Sequence, residues 1–315
     1  MTQQISDETY EKYVQEPPFV GLLQFETGTA CNGKCTFCSH KDMKRSGTAS
    51  WSTILEVIDQ CAPYAQTVCP FWMQEPLLEP RLPAILDNVK QVNPKTETVI
   101  YTNMAKLPKW WRQLVDEQNL DTMIISFYGA TPQLYRKYQP GFNWNRTRRN
   151  IKRFMAYRKS KGYKKPYVKM HYIMLPDTVA AAKGFAEEWI NIVDSVGGTV
   201  YRTYETNEAL EQFEQKQYGA PPKRVPCIRL WSGFYVQFNG DVCPCSADSQ
   251  GDNVLGNVLE QNFRQIWWGP KAREFREKHI KGEYAEMCRN CNYYKYEMPK
   301  EWIQYWLNKS LSGNL

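Results

Sequence analysis

The strongest constraint on the fold is an alternation that runs through the first two thirds of the chain. Short apolar runs rich in β-formers recur at residues 21–26, 65–71, 97–101, 122–127, 167–174 and 199–204. Amphipathic stretches at 51–61, 81–91, 109–118, 144–159 and 179–196 separate most of them. Strand–helix alternation predicts parallel strands joined by right-handed crossovers. Six such units predict an α/β fold, a partial (β/α)6 TIM-like barrel over residues 21–205 whose strand ends supply the site. Residues 1–20 read as an N-terminal extension, and residues 206–226, polar and ending in GAPPKRVP, as a linker. Residues 227–315, with short strands and several cysteines, read as a small α+β domain organised around a metal centre. It holds a hairpin, FYVQFNGDVCPC, turning at Asn239 and Gly240, a helix over about 263–281, and a terminal helix near Trp302.

With 315 residues and 42% hydrophobic residues, the chain can bury a sizeable core. No run approaches the ~20 apolar residues of a membrane span, and the polar N-terminus has no signal-peptide core. A cytoplasmic protein is the expectation. The net charge of +7 is concentrated in part in NRTRRNIKRF and YRKSKGYKKPY. Such stretches steer anionic partners or simply form a solvated face. No nucleic-acid-binding motif accompanies them, so neither nucleic acid nor membrane is an expected partner.

Ten cysteines are too sparse for a disulfide scaffold, and their close grouping favours metal ligation or redox chemistry. Cys31, Cys35 and Cys38 follow the first strand in ETGTACNGKCTFCSH. Thiolates are the usual iron–sulfur ligands, and three of them leave one iron of a four-iron cluster open to a small molecule. A zinc site completed by His40, or scattered buried thiols, are the alternatives.

Cys-x3-Cys-x2-Cys after strand one resembles the radical S-adenosylmethionine (SAM) superfamily. WMQEPLL at the second strand end is similar to that family's Gly-Glu-Pro segment. YTNMAKL is similar to its Thr-Asn segment, and ISFYGATPQLY to its Ser-x-x-Gly segment. The resemblance spans roughly residues 20–205. It implies that Cys31, Cys35 and Cys38 ligate a [4Fe–4S] cluster that binds SAM. Phe37 would pack near the adenine and Glu75 would lie near the SAM ammonium. Thr102, Asn103 and Ser126 are candidate contacts to SAM or substrate, or strand-end hydrogen bonders. Gln74 stands where the family has Gly. The implied chemistry is one-electron cleavage of SAM to a 5′-deoxyadenosyl radical, which takes a hydrogen atom from substrate.

Cys227, twelve residues, Gly240, four residues, Cys245, then Cys288 and Cys291 resemble the twitch form of the SPASM domain. This implies a second [4Fe–4S] cluster, auxiliary, with these four cysteines as ligands; a zinc ribbon is the alternative. Cys243 is left over. It is a buried small residue, an alternative ligand, or a hydrogen-atom donor to a substrate radical. Cys61 and Cys69 read as core. His171, Arg202 and Tyr204 are candidate proton acceptors.

The expected activity is oxidation or epimerisation of a small polar substrate such as an aminocyclitol or sugar, by an oxidoreductase served by flavodoxin or ferredoxin. A maturase acting on a ribosomally made peptide is the second reading, weighed against by the short stretch before the first strand. A non-catalytic metal-binding protein is the third.

Overall fold

The computed structural model describes residues 21–200, 227–289 and 291. The extension 1–20, the linker, Arg202, Tyr204 and the helix near Trp302 lie outside the described residues.

Among the described residues, nine strands form one sheet in the order β6-β5-β4-β3-β2-β1-β7-β8-β9. The chain runs through β1 (Leu22–Phe25), α1 (Trp51–Cys61), β2 (Thr67–Cys69), α2 (Leu82–Val92), β3 (Glu97–Thr102) and α3 (Gln113–Asp116). It continues through β4 (Thr122–Ser126), α4 (Pro132–Tyr138), α5 (Trp144–Ser160), β5 (Tyr167–Met174), α6 (Ala182–Trp189) and β6 (Ser195–Val200). Adjacent strands from β1 to β6 pair in parallel, so all their C-terminal ends face one rim. The α/β partial barrel is thus the observed architecture.

Local chemistry explains the elements. Ser50 caps α1 by accepting from the Thr53 amide at 2.9 Å, and the buried Ile54, Val57, Ile58 and Cys61 repeat at helical spacing. Against them β1 turns Leu23 and Phe25, while its other face carries Leu22 and Gln24. Burying each such apolar side chain contributes about 1.5–3 kcal/mol. A second core under β3–β6 is built on Leu86, Ile100, Ile125, Phe154, Met170 and Trp189. Cys61 and Cys69 are core residues, as expected. No helix among the described residues is long and apolar enough to cross a membrane.

Four expected elements differ in the structure. The helix expected over 179–196 ends at Trp189, and β6 begins at Ser195, four residues ahead of the expected strand. Asp194 sets the entry by accepting from the Val168 amide at 2.7 Å. Gly197 and Gly198 then sit inside the strand, against propensity. A Cβ at Gly197 would lie 2.9 Å from Lys169 Cε, so the glycine makes room for that stem. The helix expected over 109–118 shrinks to the single turn of α3. The helix expected over 263–281 is two, α8 (Phe263–Trp267) and α9 (Pro270–Lys281), because Pro270 cannot continue the first and opens the second.

In the C-terminal part, α7 (Arg229–Ser232) leads into β7 (Gly233–Val236), β8 (Asp241–Cys243) and β9 (Gly256–Asn257), numbered here before α8 and α9; α10 (Glu286–Arg289) follows them. The hairpin closes with a three-residue loop. The Gly240 amide donates to Gln237 O at 2.9 Å, the Gln237 amide to Asp241 O at 2.8 Å, and Gly240 takes φ +89°. β7 pairs in parallel with β1, so the small C-terminal unit continues the barrel's sheet.

Candidate active site

The loop leaving β1 carries Cys31, Cys35 and Cys38, all half-buried and none in a disulfide. The Gly33 amide donates to Cys31 Sγ at 3.3 Å, and the Cys38 amide donates to Cys35 O at 3.1 Å. Burial pushes the Cys35 thiol up to about 12, and the sulfurs of Cys38 and Cys31 add to it. Burial likewise pushes Cys31 up to about 11. Metal binding would replace those protons.

His40 Nε2 donates to Thr29 O at 2.7 Å. No group of three or more His, Cys, Asp or Glu among the described residues closes around a single ion. Three thiols on one loop are the donor set of a four-iron cluster with one open iron, and one short of the four ligands of a structural zinc site.

The strand ends meet this loop. The Glu75 amide, after β2, donates to Ala30 O at 3.0 Å. Glu75 Oε1 accepts from Thr102 Oγ1 at 2.6 Å and from the Leu77 amide at 3.0 Å, and Oε2 accepts from the Asn103 amide at 2.8 Å. Burial pushes the Glu75 carboxyl up to about 7 despite these donors. One acceptor position of the carboxylate is left for a ligand. Asn103 Nδ2 donates to Asn32 Oδ1 at 2.8 Å, tying β3 to the cysteine loop. Gln74 accepts from the Trp72 amide at 3.0 Å and donates to Thr27 Oγ1 at 3.1 Å, and lines the same cavity as Glu75 and Ala30.

Phe37 packs with Tyr128 and Tyr138, ring centroids 5.2 and 5.9 Å apart, forming an aromatic wall beside the cysteines. Ser126 ends β4 opposite His171 of β5. Fully buried Gln139 joins these parts. Its Nε2 donates to Ser126 O at 2.9 Å and its Oε1 accepts from the Tyr128 amide at 2.9 Å. Sequence reasoning missed Gln139 and Tyr128; the only local signal was the aromatic following Ser126 and Phe127. His171 Nε2 lies 3.0 Å from Thr199 Oγ1.

Cys243 lies elsewhere. It pairs across the hairpin with Tyr235, which is in register with Gln24, so it is on the face opposite the α1 core. It is 1% exposed, packs with Trp72 and Tyr235, and accepts from Gln237 Nε2 at 3.3 Å. Burial holds its thiol well above the usual range.

The other C-terminal cysteines come from separate points. The Cys227 amide donates to His279 Nδ1 at 3.5 Å, the Ala247 amide to Cys245 Sγ at 3.4 Å, and the Cys291 amide to Cys288 O at 3.3 Å. A clasp links this part to the first loop. Arg45 holds fully buried Glu26 with two bonds of 2.5 and 2.7 Å and donates from Nε to Ser249 O at 2.5 Å. Trp72 Nε1 donates to Ser246 O at 2.9 Å, and the Lys44 amide donates to Gln250 Oε1 at 3.1 Å.

Residues 25–212 match the Radical SAM superfamily. The chain belongs to that superfamily. Residues 227–292 match SPASM, an iron–sulfur cluster-binding domain. The chain is therefore a radical SAM enzyme that uses SAM, a SAM-binding [4Fe–4S] cluster and an auxiliary iron–sulfur cluster. Among curated relatives, the S-adenosyl-L-methionine-dependent 2-deoxy-scyllo-inosamine dehydrogenase of Niallia circulans is 22% identical over 278 residues, 86% of this chain and 92% of that protein. Among solved structures, BtrN in complex with AdoMet and 2-DOIA is 18% identical with TM-score 0.56, covering 87% of this chain and 93% of that one. SuiB of Streptococcus suis is 15% identical with TM-score 0.64 (86% and 71%). The anSMEcpe protein with bound AdoMet is 17% identical with TM-score 0.62 (88% and 84%). These structures share the fold.

Proposed function

We propose that this enzyme is a dehydrogenase that oxidises an alcohol carbon of a small polar substrate of the aminocyclitol or sugar class. The observation that carries this reading is the near full-length match to the inosamine dehydrogenase, 92% of whose length is covered.

In this reading Cys31, Cys35 and Cys38 hold the SAM-binding cluster, and Cys227, Cys245, Cys288 and Cys291 hold the auxiliary one. The barrel occupies 21–205, the linker 206–226 and the auxiliary domain 227–315, and the enzyme works in the cytoplasm with flavodoxin or ferredoxin as reductant. When bound, the clusters and SAM supply one-electron chemistry: cleavage to a hydrogen-abstracting 5′-deoxyadenosyl radical, and an acceptor for the second electron of the oxidation.

The chain's own residues orient and shield. Glu75 offers its remaining acceptor position to the SAM ammonium, with Thr102 and Asn103 fixing the carboxylate. Phe37 and Tyr128 provide an apolar wall for the adenine and keep water from the reacting carbon. Ser126 is a polar contact at the same rim. His171 is the described candidate to take the hydroxyl proton. The burial of Cys243 behind Trp72 and Tyr235 supports oxidation over an epimerisation in which that thiol returns a hydrogen atom.

The test is incubation of the reconstituted enzyme with SAM, dithionite and deuterated aminocyclitols. A product lighter by two hydrogens, with deuterium in 5′-deoxyadenosine, is the expected result. A product that has exchanged one substrate deuterium for a solvent hydrogen at an inverted carbon, with no net loss of two hydrogens, would replace oxidation by epimerisation. Turnover only of a peptide would favour a maturase, the activity class for which the fold shared with SuiB, solved also with its precursor peptide SuiA, is the support.

A further inference from the structure

Cleavage of SAM consumes an electron from outside the chain, and one surface beside the cysteine loop has the charge to attract its carrier. Three segments meet there. Asn103 after β3 bonds Asn32 of the loop. Gly33 lies so near Phe142 that a Cβ would stand 3.2 Å from the ring. Asn150 of α5 donates to Met104 O at 2.9 Å. None of the three segments contains an acid: residues 27–41, 98–115 and 122–176 hold no Asp or Glu. Lys34, Lys106, Lys109, Arg146, Arg149 and Lys152 are exposed there, and among the described residues none forms an ion pair. Half-buried Leu107, Trp110, Phe142 and Trp144 lie in the same segments.

Helix α5 sorts its cations. Arg148 is paired with Glu188 and stacks 4.1 Å over Trp144, and Arg158 is paired with Asp194. Arg146 and Arg149 have no such partner, stand in the first turns where the helix dipole disfavours cations, and repel each other at i, i+3. Packing gives no compensation for that repulsion; an anionic partner would.

We propose that this surface docks a small acidic one-electron carrier protein of the flavodoxin or ferredoxin type. The carrier is oxidised by one electron and the cluster is reduced by one, with no bond made or broken. The proposal rests on the reading of Cys31, Cys35 and Cys38 as cluster ligands. Their half-burial keeps the acceptor close to this surface, and complementary charge speeds encounter. A compact patch with apolar side chains around the cysteine loop suits a globular carrier better than a nucleic-acid strand.

The test uses the holoenzyme with both clusters, and the variant K106E/R146E/R149E. 5′-Deoxyadenosine formation is driven either by pre-reduced flavodoxin at sub-saturating concentration or by dithionite. The flavodoxin-driven rate is expected to fall about tenfold or more in the variant, with the dithionite-driven rate unchanged. Raising salt from about 0.05 to about 0.5 M should slow the flavodoxin-driven wild type towards the variant. The charge-conserving variant K106R/R146K/R149K should keep the wild-type rate. An unchanged flavodoxin-driven rate in the reversed variant overturns the proposal, as does equal loss with both reductants. Loss of single-stranded RNA binding with the flavodoxin rate intact would assign the patch to nucleic acid instead. No cleavage with dithionite in the wild type would strike the cluster assignment itself, a failure distinct from the others.

Discussion

The two cysteine sets are delivered by the chain in opposite ways. Cys31, Cys35 and Cys38 sit on one loop at the end of β1, all half-buried. Cys227, Cys245, Cys288 and Cys291 come from the stretch before α7, the end of the hairpin, α10 and just beyond it, with Cys245 and Cys288 buried. A local loop can lose its cluster and leave the fold standing, whereas a set gathered from distant points makes ligation part of folding. The largest contrast is therefore between Cys35→Ser and Cys245→Ser. The first should abolish 5′-deoxyadenosine formation and remove about four irons per chain, with near-native melting. The second should remove a similar amount of iron, lower the melting temperature clearly, and leave SAM cleavage running without oxidised product. Iron analysis, product assay and thermal melting check both. Equal melting of the two variants would break the comparison.

The clasp between the sets gives the next effect. Glu26 accepts from Arg45 and from the Phe238 amide with its side chain fully buried, and burial raises its pKa against those bonds. Arg45→Ala leaves that carboxylate uncompensated and should destabilise by about 3–5 kcal/mol. Glu26→Gln combined with Arg45→Gln should recover part of the loss. Urea unfolding measures both. Hydrogen exchange at residues 246–250 should rise in Arg45→Ala, because Arg45 also holds Ser249 O. Unchanged exchange there would mean that the two cysteine regions are not coupled through Arg45.

Glu75 sharpens the local side of the comparison. A glutamine there keeps one carbonyl oxygen to accept from Thr102 and Leu77, so the rim should stay folded, but the charge opposite the SAM ammonium is gone. Glu75→Gln should weaken SAM binding by about 1.5–3 kcal/mol, roughly ten- to a hundredfold, with both iron complements intact. Equilibrium dialysis with SAM measures it, and unchanged affinity would remove Glu75 from the SAM site.

Glu75, Thr102 and Asn103 were legible through the resemblance of WMQEPLL and YTNMAKL to the strand-end segments of the radical SAM superfamily. Parallel strands, which bring their ends to one rim, are the physical reason these residues gather near the loop after β1. The β5 run and α1 matched their sequence patterns at both ends, 167–174 and 51–61. What stayed hidden depended on distance along the chain or on glycine. Arg45 reaches Ser249 across 204 positions, and nothing local marks the pair. The sixth strand is expected only from residue 199, beyond Gly197 and Gly198, whereas in the structure Gly197 lies inside it and leaves room for the Lys169 stem. The pairing of β7 with β1 joins segments that alternation alone places in separate domains.

The smallest effect belongs to a region that neither cysteine set reaches, and so serves as a control. At the far end of α5, Arg158 donates to Asp194 at 2.5 and 2.7 Å, and Asp194 also accepts from the Val168 amide. Burial pushes the Asp194 carboxyl up, but the bonds from Arg158 and Val168 outweigh it and hold it below the usual range. A depressed folded pKa means that the folded state binds fewer protons, so the stabilisation is full above the unfolded value near 4 and is lost as pH falls through the folded value. With Asp194 a quarter exposed, solvent screening limits the pair to about 1 kcal/mol. Asp194→Asn should therefore melt lower than wild type at pH ~7, and the gap should narrow as pH falls below about 4. Both proteins are compared free of iron, so that acid loss of clusters does not intrude. Before iron removal, both cluster complements and SAM cleavage should equal wild type. A drop in either would tie this end of the barrel to the cysteine loops and break their separation.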